Sequence, residues 1–268
     1  MSESKEVATK AETAVAIPKE LLGSFVEDSG AGTENIGADD MKIPFLRIAQ
    51  PLSPELNKKH ENFIEGTEAG TIFNTVTRQL FGEEVNVIPC GYIKKYLEFI
   101  PREKGGGFQG EHAPNSQEVL TATRDKQTNK DIMTNGNELV VSAQHYCKFQ
   151  DPETGGWQSA IIDMKSTNLK ISRQWNTMIQ MQEVKHKGKL VKLPSFGVIW
   201  TLRSEEASNE KGRWNQWKVS GRHGYVEDTD LYKDCRELSS MVSDGTVQAS
   251  DDPDLDANTS DSGEAIPF

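Results

Sequence analysis

Hydrophobic positions recur along this chain with two periods, and each period predicts a different element. T-I-F-N-T-V-T at 71–77 alternates apolar and polar residues, which predicts a strand. V-N-V-I-P-C-G-Y-I-K-K-Y-L-E-F at 85–99 is rich in β-branched and aromatic residues and predicts another. R-Q-L-F-G-E-E between them suits a hairpin connection. Two strand patterns flank the turn signal D-P-E-T-G-G, predicting a hairpin over 138–164. F-G-V-I-W-T-L-R and R-W-N-Q-W-K-V-S flank S-E-E-A-S-N-E-K-G, predicting a second hairpin with a longer loop. Between the hairpins the period changes. Ile171, Trp175, Met178 and Ile179 fall at i, i+4, i+7 and i+8, one face of a helix, with Ser166 or Thr167 as its cap. D-T-D-L-Y-K-D-C-R-E-L-S-S-M-V predicts a closing helix, capped near Asp228 and ended by Gly245.

The unpatterned stretches set the domain plan. Residues 1–40 are rich in Ala, Glu, Ser, Thr and Gly and are expected to be mostly disordered, with one helical turn near P-K-E-L-L. Residues 101–137 are Gly-, Asn- and Thr-rich and predict a long exposed excursion. The expected organisation is an acidic N-terminal segment at 1–40, a β-rich domain at 41–243 and a disordered acidic tail at 244–268. The element order contains no βαβ alternation, which argues against a parallel doubly wound sheet. The fold class is mainly β (α+β): an oligonucleotide-binding-like antiparallel barrel or sandwich with an inserted helix and a C-terminal helix.

Charge changes the picture. The net charge of −11 argues at first against a nucleic-acid partner. Residues 1–40, however, hold nine acidic groups against three basic ones, and residues 244–268 hold seven acidic groups and no basic one. These ends carry −6 and −7, so residues 41–243 carry +2. Local fields, not the whole-chain sum, attract phosphates. Cys90, Cys147 and Cys235 are odd in number and far apart, in no metal-ligand pattern, and read as reduced thiols of a cytosolic protein. No apolar run approaches the length of a membrane span, and the first residues do not form a secretory signal, so a cytoplasmic protein without a membrane partner is expected.

Catalytic chemistry finds little support. G-G-G-F-Q-G at 105–110 contains G-x-G-x-x-G, but E-H-A-P-N follows where a phosphate-binding helix would have to start. The five histidines do not cluster at metal spacing; His145 and Cys147 share a strand face but no second pair answers them. No nucleophile–base set or carboxylate pair stands out. The expectation is a non-enzyme without a cofactor.

Aromatic–basic interleaving is the stronger signal. Tyr92, Lys94 and Tyr96 share one face of a strand, Tyr146 and Lys148 another, and Trp214 and Lys218 a third. Bases stack on aromatics while neighbouring lysines neutralise phosphates, which holds single strands without reading sequence. Filling of the core by the same aromatics is the competing reading, and Trp200, on the face of Phe196, Val198 and Leu202, is assigned to the core. The stretch K-H-K-G-K-L-V-K supplies Lys185, Lys187 and Lys189 as one wall of a charged groove or as a solvated turn, and Lys170 and Arg173 extend that wall along the helix.

The last residues explain the charge split. The acidic tail ends with Asp261 and Glu264 upstream of Ile266, Pro267 and Phe268. This ending resembles the C-terminal tip of bacterial and phage single-stranded DNA-binding proteins, and the length and two-hairpin layout of the body look more like those of tailed phages. Ala265 stands between the acids and Ile266, a departure from the usual run. The resemblance implies coating of single strands in phage replication, recombination and repair. It implies recruitment of partners such as polymerase or primase-helicase through Asp261, Glu264, Ile266, Pro267 and Phe268, in the bacterial host cytoplasm. Self-association into a homo-oligomer stays open. So do two rival functions: a strand-annealing recombination protein, and a phage structural or adaptor protein that does not bind DNA.

Overall fold

Long alternating stretches become long strands, and an extra residue in one of them sets which side chains face out. The structure is a computed structural model that describes residues 18, 20–35, 43–210 and 212–247. The chain divides into two compact units, residues 1–41 and 42–268. In the first, one six-residue helix, α1 (Leu22–Glu27), is solvent-exposed, with Phe25 and Val26 open to water. The second contains β1 (Leu46–Ile48), β2 (Ile72–Asn74), β3 (Glu84–Phe99), β4 (Phe108–His112), α2 (Gln117–Thr121), β5 (Thr123–Arg124) and β6 (Asp131–Ile132). It continues through β7 (Glu138–Gln150), β8 (Trp157–Lys165), α3 (Leu169–Gln180), β9 (Glu183–His186), β10 (Lys189–Lys192), β11 (Val198–Asn209), β12 (Gly212–Tyr225) and α4 (Thr229–Ser243).

The fold is mainly β and antiparallel. An eight-stranded sheet runs β12-β11-β3-β7-β6-β5, with β4 on β3 and β8 on β7. It curls around a core of Leu46, Ile72, Val87, Phe149, Met164, Trp175, Trp200 and Trp217. The chain before and within β1 lies across the open side. Pro44 O accepts from Ile161 N at 2.9 Å on β8. The Gln50 amide pairs with both backbone groups of Asn215 on β12, each at 2.9 Å. That side chain imitates a neighbouring strand and satisfies an edge that would otherwise be unpaired. The outer face carries a second core, where Cys235, Leu238 and Val242 of α4 pack on Ile88, Cys90, Tyr146 and Ile161. Close approach there requires Gly91, because a Cβ at that position would sit 2.6 Å from Val242 Cγ1.

A bulge in β3 sets the facing of its second half. Pro89 pairs with Cys147 and Gly91 with Tyr146, which leaves Cys90 as the extra residue. Proline cannot donate to a ladder, and a bulge accommodates it. Before the bulge Val85 and Val87 point to the inner core. After it Tyr92, Lys94 and Tyr96 continue that inner side, paired with His145, Ala143 and Val141.

Five local expectations are corrected. The strand expected at 71–77 stops at Asn74, whose Oδ1 accepts from Val76 N and Thr77 N and turns the chain. Residues 78–84 do not join a hairpin, since β2 pairs with β1 while β3 pairs with β4, β7 and β11. The second hairpin is tight: β11 reaches Asn209 and β12 begins at Gly212. Neither Ser166 nor Thr167 caps α3; a 3-10 turn precedes it, and Asn168 Oδ1 instead accepts from Trp217 N at 2.9 Å. The 101–137 excursion contains β4, α2, β5 and β6. The closing helix is as expected, with Asp228 accepting from Asp230 N and Leu231 N.

Candidate nucleic-acid interface

The residues Tyr92, Lys94 and Tyr96 form one continuous row on β3. Tyr92 is 43% exposed, Lys94 is exposed and Tyr96 is half-buried. The Lys94 ammonium lies over the Tyr96 ring at 4.9 Å from its centroid. Behind the row the rings are fixed. Tyr92 lies 5.0 Å from His145, and His145 lies 4.6 Å from Trp175 of α3. His145 Nε2 is 2.8 Å from Ser172 Oγ, and burial pushes its pKa down to about 3. The row is therefore a partly exposed aromatic–cationic surface backed by a buried neutral imidazole. Lys95, on the opposite face, is buried and bound to Glu111 at 2.6 Å.

Beside the row lies a carboxylate that sequence patterning missed. Glu98 accepts from Asn135 Nδ2 at 2.8 Å and Asn137 Nδ2 at 2.5 Å, and meets His112 Nε2 at 2.6 Å. Burial raises its pKa, but the bonds from Asn137, Asn135 and His112 outweigh that and hold it below the ordinary range. The cluster ties β4 and the 133–137 turn to β3. Its members are spread over 39 positions of chain, so only the β3–β4 and β3–β7 pairings bring them together.

The other candidates divide. Tyr146 is 1% exposed and sits in the α4 core, so its ring offers no face to a base. Lys148 pairs with Ile88 on that same outer side, away from the Tyr92 row. Trp214 is half-buried, and Lys218 is tied to Glu205 in a ladder that includes Arg203 on Glu84 at 2.7 Å. By register this ladder lies on the sheet face opposite Leu202 and the inner core, so Trp214 and Lys218 do not join the row. Lys170 and Arg173 are exposed on α3, turned from its buried Ile171–Trp175 side.

Lys185 and Lys189 lie on strands, with Lys187 in the turn between them. They belong to a separate two-stranded ribbon, β9–β10, with every residue exposed. Lys187 and Gly188 both have positive φ, +47° and +81°, as a two-residue hairpin turn demands. The signal was present in E-V-K-H-K-G-K-L-V-K: a β-branched valine on each side of a dipeptide ending in Gly.

The glycine run at 105–107 leads into β4 and not a helix. Cys90, Cys147 and Cys235 are buried free thiols, and among the described residues no cluster of three His, Cys, Asp or Glu is placed to hold a metal. Among the described residues no helix is long and apolar enough to cross a membrane. Of the acidic tail expected at 244–268, residues 244–247 are described and Val247 packs in the α4 core, while 248–268 with the tip, Asp261, Glu264, Ile266, Pro267 and Phe268, lie outside the described residues, as does most of the N-terminal segment.

One family model, described as Pam3 phage gp34-like protein, matches residues 12–248. No curated protein and no solved structure matches the chain.

Proposed function

The chain belongs to the Pam3 phage gp34-like family, and on that premise we propose that this phage protein binds single-stranded DNA without reading its sequence. The observation that carries the reading is the Tyr92–Lys94–Tyr96 row, open to solvent on a curled antiparallel sheet. Aromatic rings beside an ammonium are the pairing of groups that holds bases and phosphates of a single strand. The protein coats strands and is not an enzyme. Its acidic tip, through Ile266, Pro267 and Phe268 behind Asp261 and Glu264, recruits replication proteins such as polymerase or primase-helicase: an apolar pocket takes the Phe268 ring and a basic rim its carboxylate.

The test is anisotropy of labelled oligothymidine titrated at two salt concentrations. Trp175, Trp200 and Trp217 are buried, which makes intrinsic fluorescence a poor reporter. Replacing Tyr92 and Tyr96 by Ala is expected to weaken binding by about 1–3 kcal/mol per lost stack, while Phe at both positions restores it. Wild-type affinity is expected to fall with salt, as phosphate neutralisation requires. Absence of oligothymidine binding by the wild type, or indifference to the Ala pair, would falsify the reading.

A further inference from the structure

The β9–β10 ribbon has a chemistry different from the Tyr92 row. It carries Lys185, Lys187, Lys189 and Lys192 with Glu183 as its one acid, and among the described residues none of these lysines is ion-paired. It carries no Phe, Tyr or Trp, and His186 is its single ring. Its apolar residues are aliphatic and exposed: Leu190 at 71%, Val191 at 46% and Val184 at 43%. Lysines beside aliphatics can grip phosphates but cannot stack on splayed bases.

The placement of charge is two-sided. Pairing of His186 with Lys189 and Val184 with Val191 puts these four on one face. Lys185 with Leu190 and Glu183 with Lys192 form the other, and Lys187 stands at the tip. A cation therefore leaves the ribbon on each face and at its end. A single strand lying along one face would leave the opposite lysines unused. A duplex groove has two phosphate-lined walls, and the major groove, about 12 Å wide, admits a two-stranded ribbon. Four-residue strands at about 3.4 Å rise give a ribbon about 13 Å long, enough to enter it. The root is braced. Leu193 N donates to Gln182 O at 2.9 Å, and Arg222, stacked 4.8 Å from Tyr225, donates to Gln182 Oε1 at 3.3 Å.

We propose that the β9–β10 ribbon is a duplex-DNA site, which inserts edge-on into a groove with Lys185 and Lys192 toward one phosphate wall and Lys189 toward the other. Its aliphatic residues contact sugars and thymine methyl groups. The duplex site stands without the single-strand reading. Where both hold, the protein prefers a junction of duplex and single strand, and that preference rests on the single-strand reading. A second copy of the chain is a poor occupant, because four lysines would face four lysines.

The experiment uses the full chain and three labelled probes: a short blunt duplex, oligothymidine, and a forked duplex with a thymine arm. The ribbon variant is Lys185→Gln, Lys189→Gln and Lys192→Gln with Lys187→Asn, since Asn tolerates the positive φ of the turn. Its thermal midpoint is expected to match wild type, because every ribbon residue is exposed. Duplex affinity is expected to fall about tenfold or more, with a shallower salt slope, and more steeply than oligothymidine affinity. Leu190→Ala, which keeps all charges and folds independently of the lysines, weakens the fork and duplex complexes in the same direction. No duplex binding by wild type, or equal loss on duplex and oligothymidine, overturns the inference. Duplex binding without oligothymidine binding leaves it standing and sinks the single-strand reading alone.

Discussion

His145 couples the candidate interface to acid stability. Its ring stays neutral in the folded protein because burial lowers its pKa to about 3. The unfolded chain takes up that proton near pH 6.5, so between these values the unfolded state holds more protons. Stability is therefore complete above about pH 6.5 and falls below it, by up to about 1.4 kcal/mol per pH unit. Urea midpoints measured from neutral to mildly acid pH are expected to drop for the wild type and to stay flatter for His145→Gln. Glu98 adds a separate loss at lower pH. Its pKa is held down by Asn137, Asn135 and His112 against burial, so its contribution disappears only as pH falls through that lowered value. Individual residue types were readable in advance where they sit in strand patterns. Tyr92, Lys94 and Tyr96 share a face because of the two-residue period alone. Tyr146 shows the limit: the same period gives its side of β7, but not the helix α4 that covers that side.

The docking of α4 onto the sheet turns on a single missing methyl group. Gly91→Ala puts a Cβ 2.6 Å from Val242 Cγ1, and neither the strand nor the buried helix face has room to yield cheaply. The expected loss is about 1–3 kcal/mol of unfolding free energy, the ordinary cost of overpacking. Combining it with Val242→Ala is expected to recover part of that loss in chemical denaturation, a coupling that two independent sites would not show. Element types were largely legible. The i, i+4, i+7 spacing of Ile171, Trp175 and Met178 gives α3, and Asp228 marks the start of α4. Element ends and partners were less so. β2 stops where the Asn74 side chain competes for the backbone. The Asn168 side chain, a candidate for local capping chemistry, is taken by Trp217 N, forty-nine positions away.

Charge separation is the property of the whole molecule with a measurable consequence. Residues 248–268 carry six of the acids of the tail and no base, while exposed lysines stand on β9–β10, at Lys94 of β3 and at Lys170 of α3. Removing 248–268 is expected to tighten DNA binding, most at low salt, because a tethered polyanion competes with DNA for cations. The cut belongs after Val247, which is 8% exposed in the α4 core, and unchanged affinity at low salt would retire the competition. By itself the sequence determined the antiparallel β class, the two hairpins, both long helices, the charge split and the common face of Tyr92, Lys94 and Tyr96. All of these follow from local period, turn chemistry or counting. Only the tertiary structure decided that Tyr146 is core, that Lys218 is spent on Glu205, that Glu98 gathers His112, Asn135 and Asn137, and that the lysines at 185–192 stand on an isolated ribbon. Those outcomes depend on which strands pair, on the bulge at Cys90 and on which sheet face a helix covers. Such choices are made by contacts distant in sequence, and local pattern does not encode them.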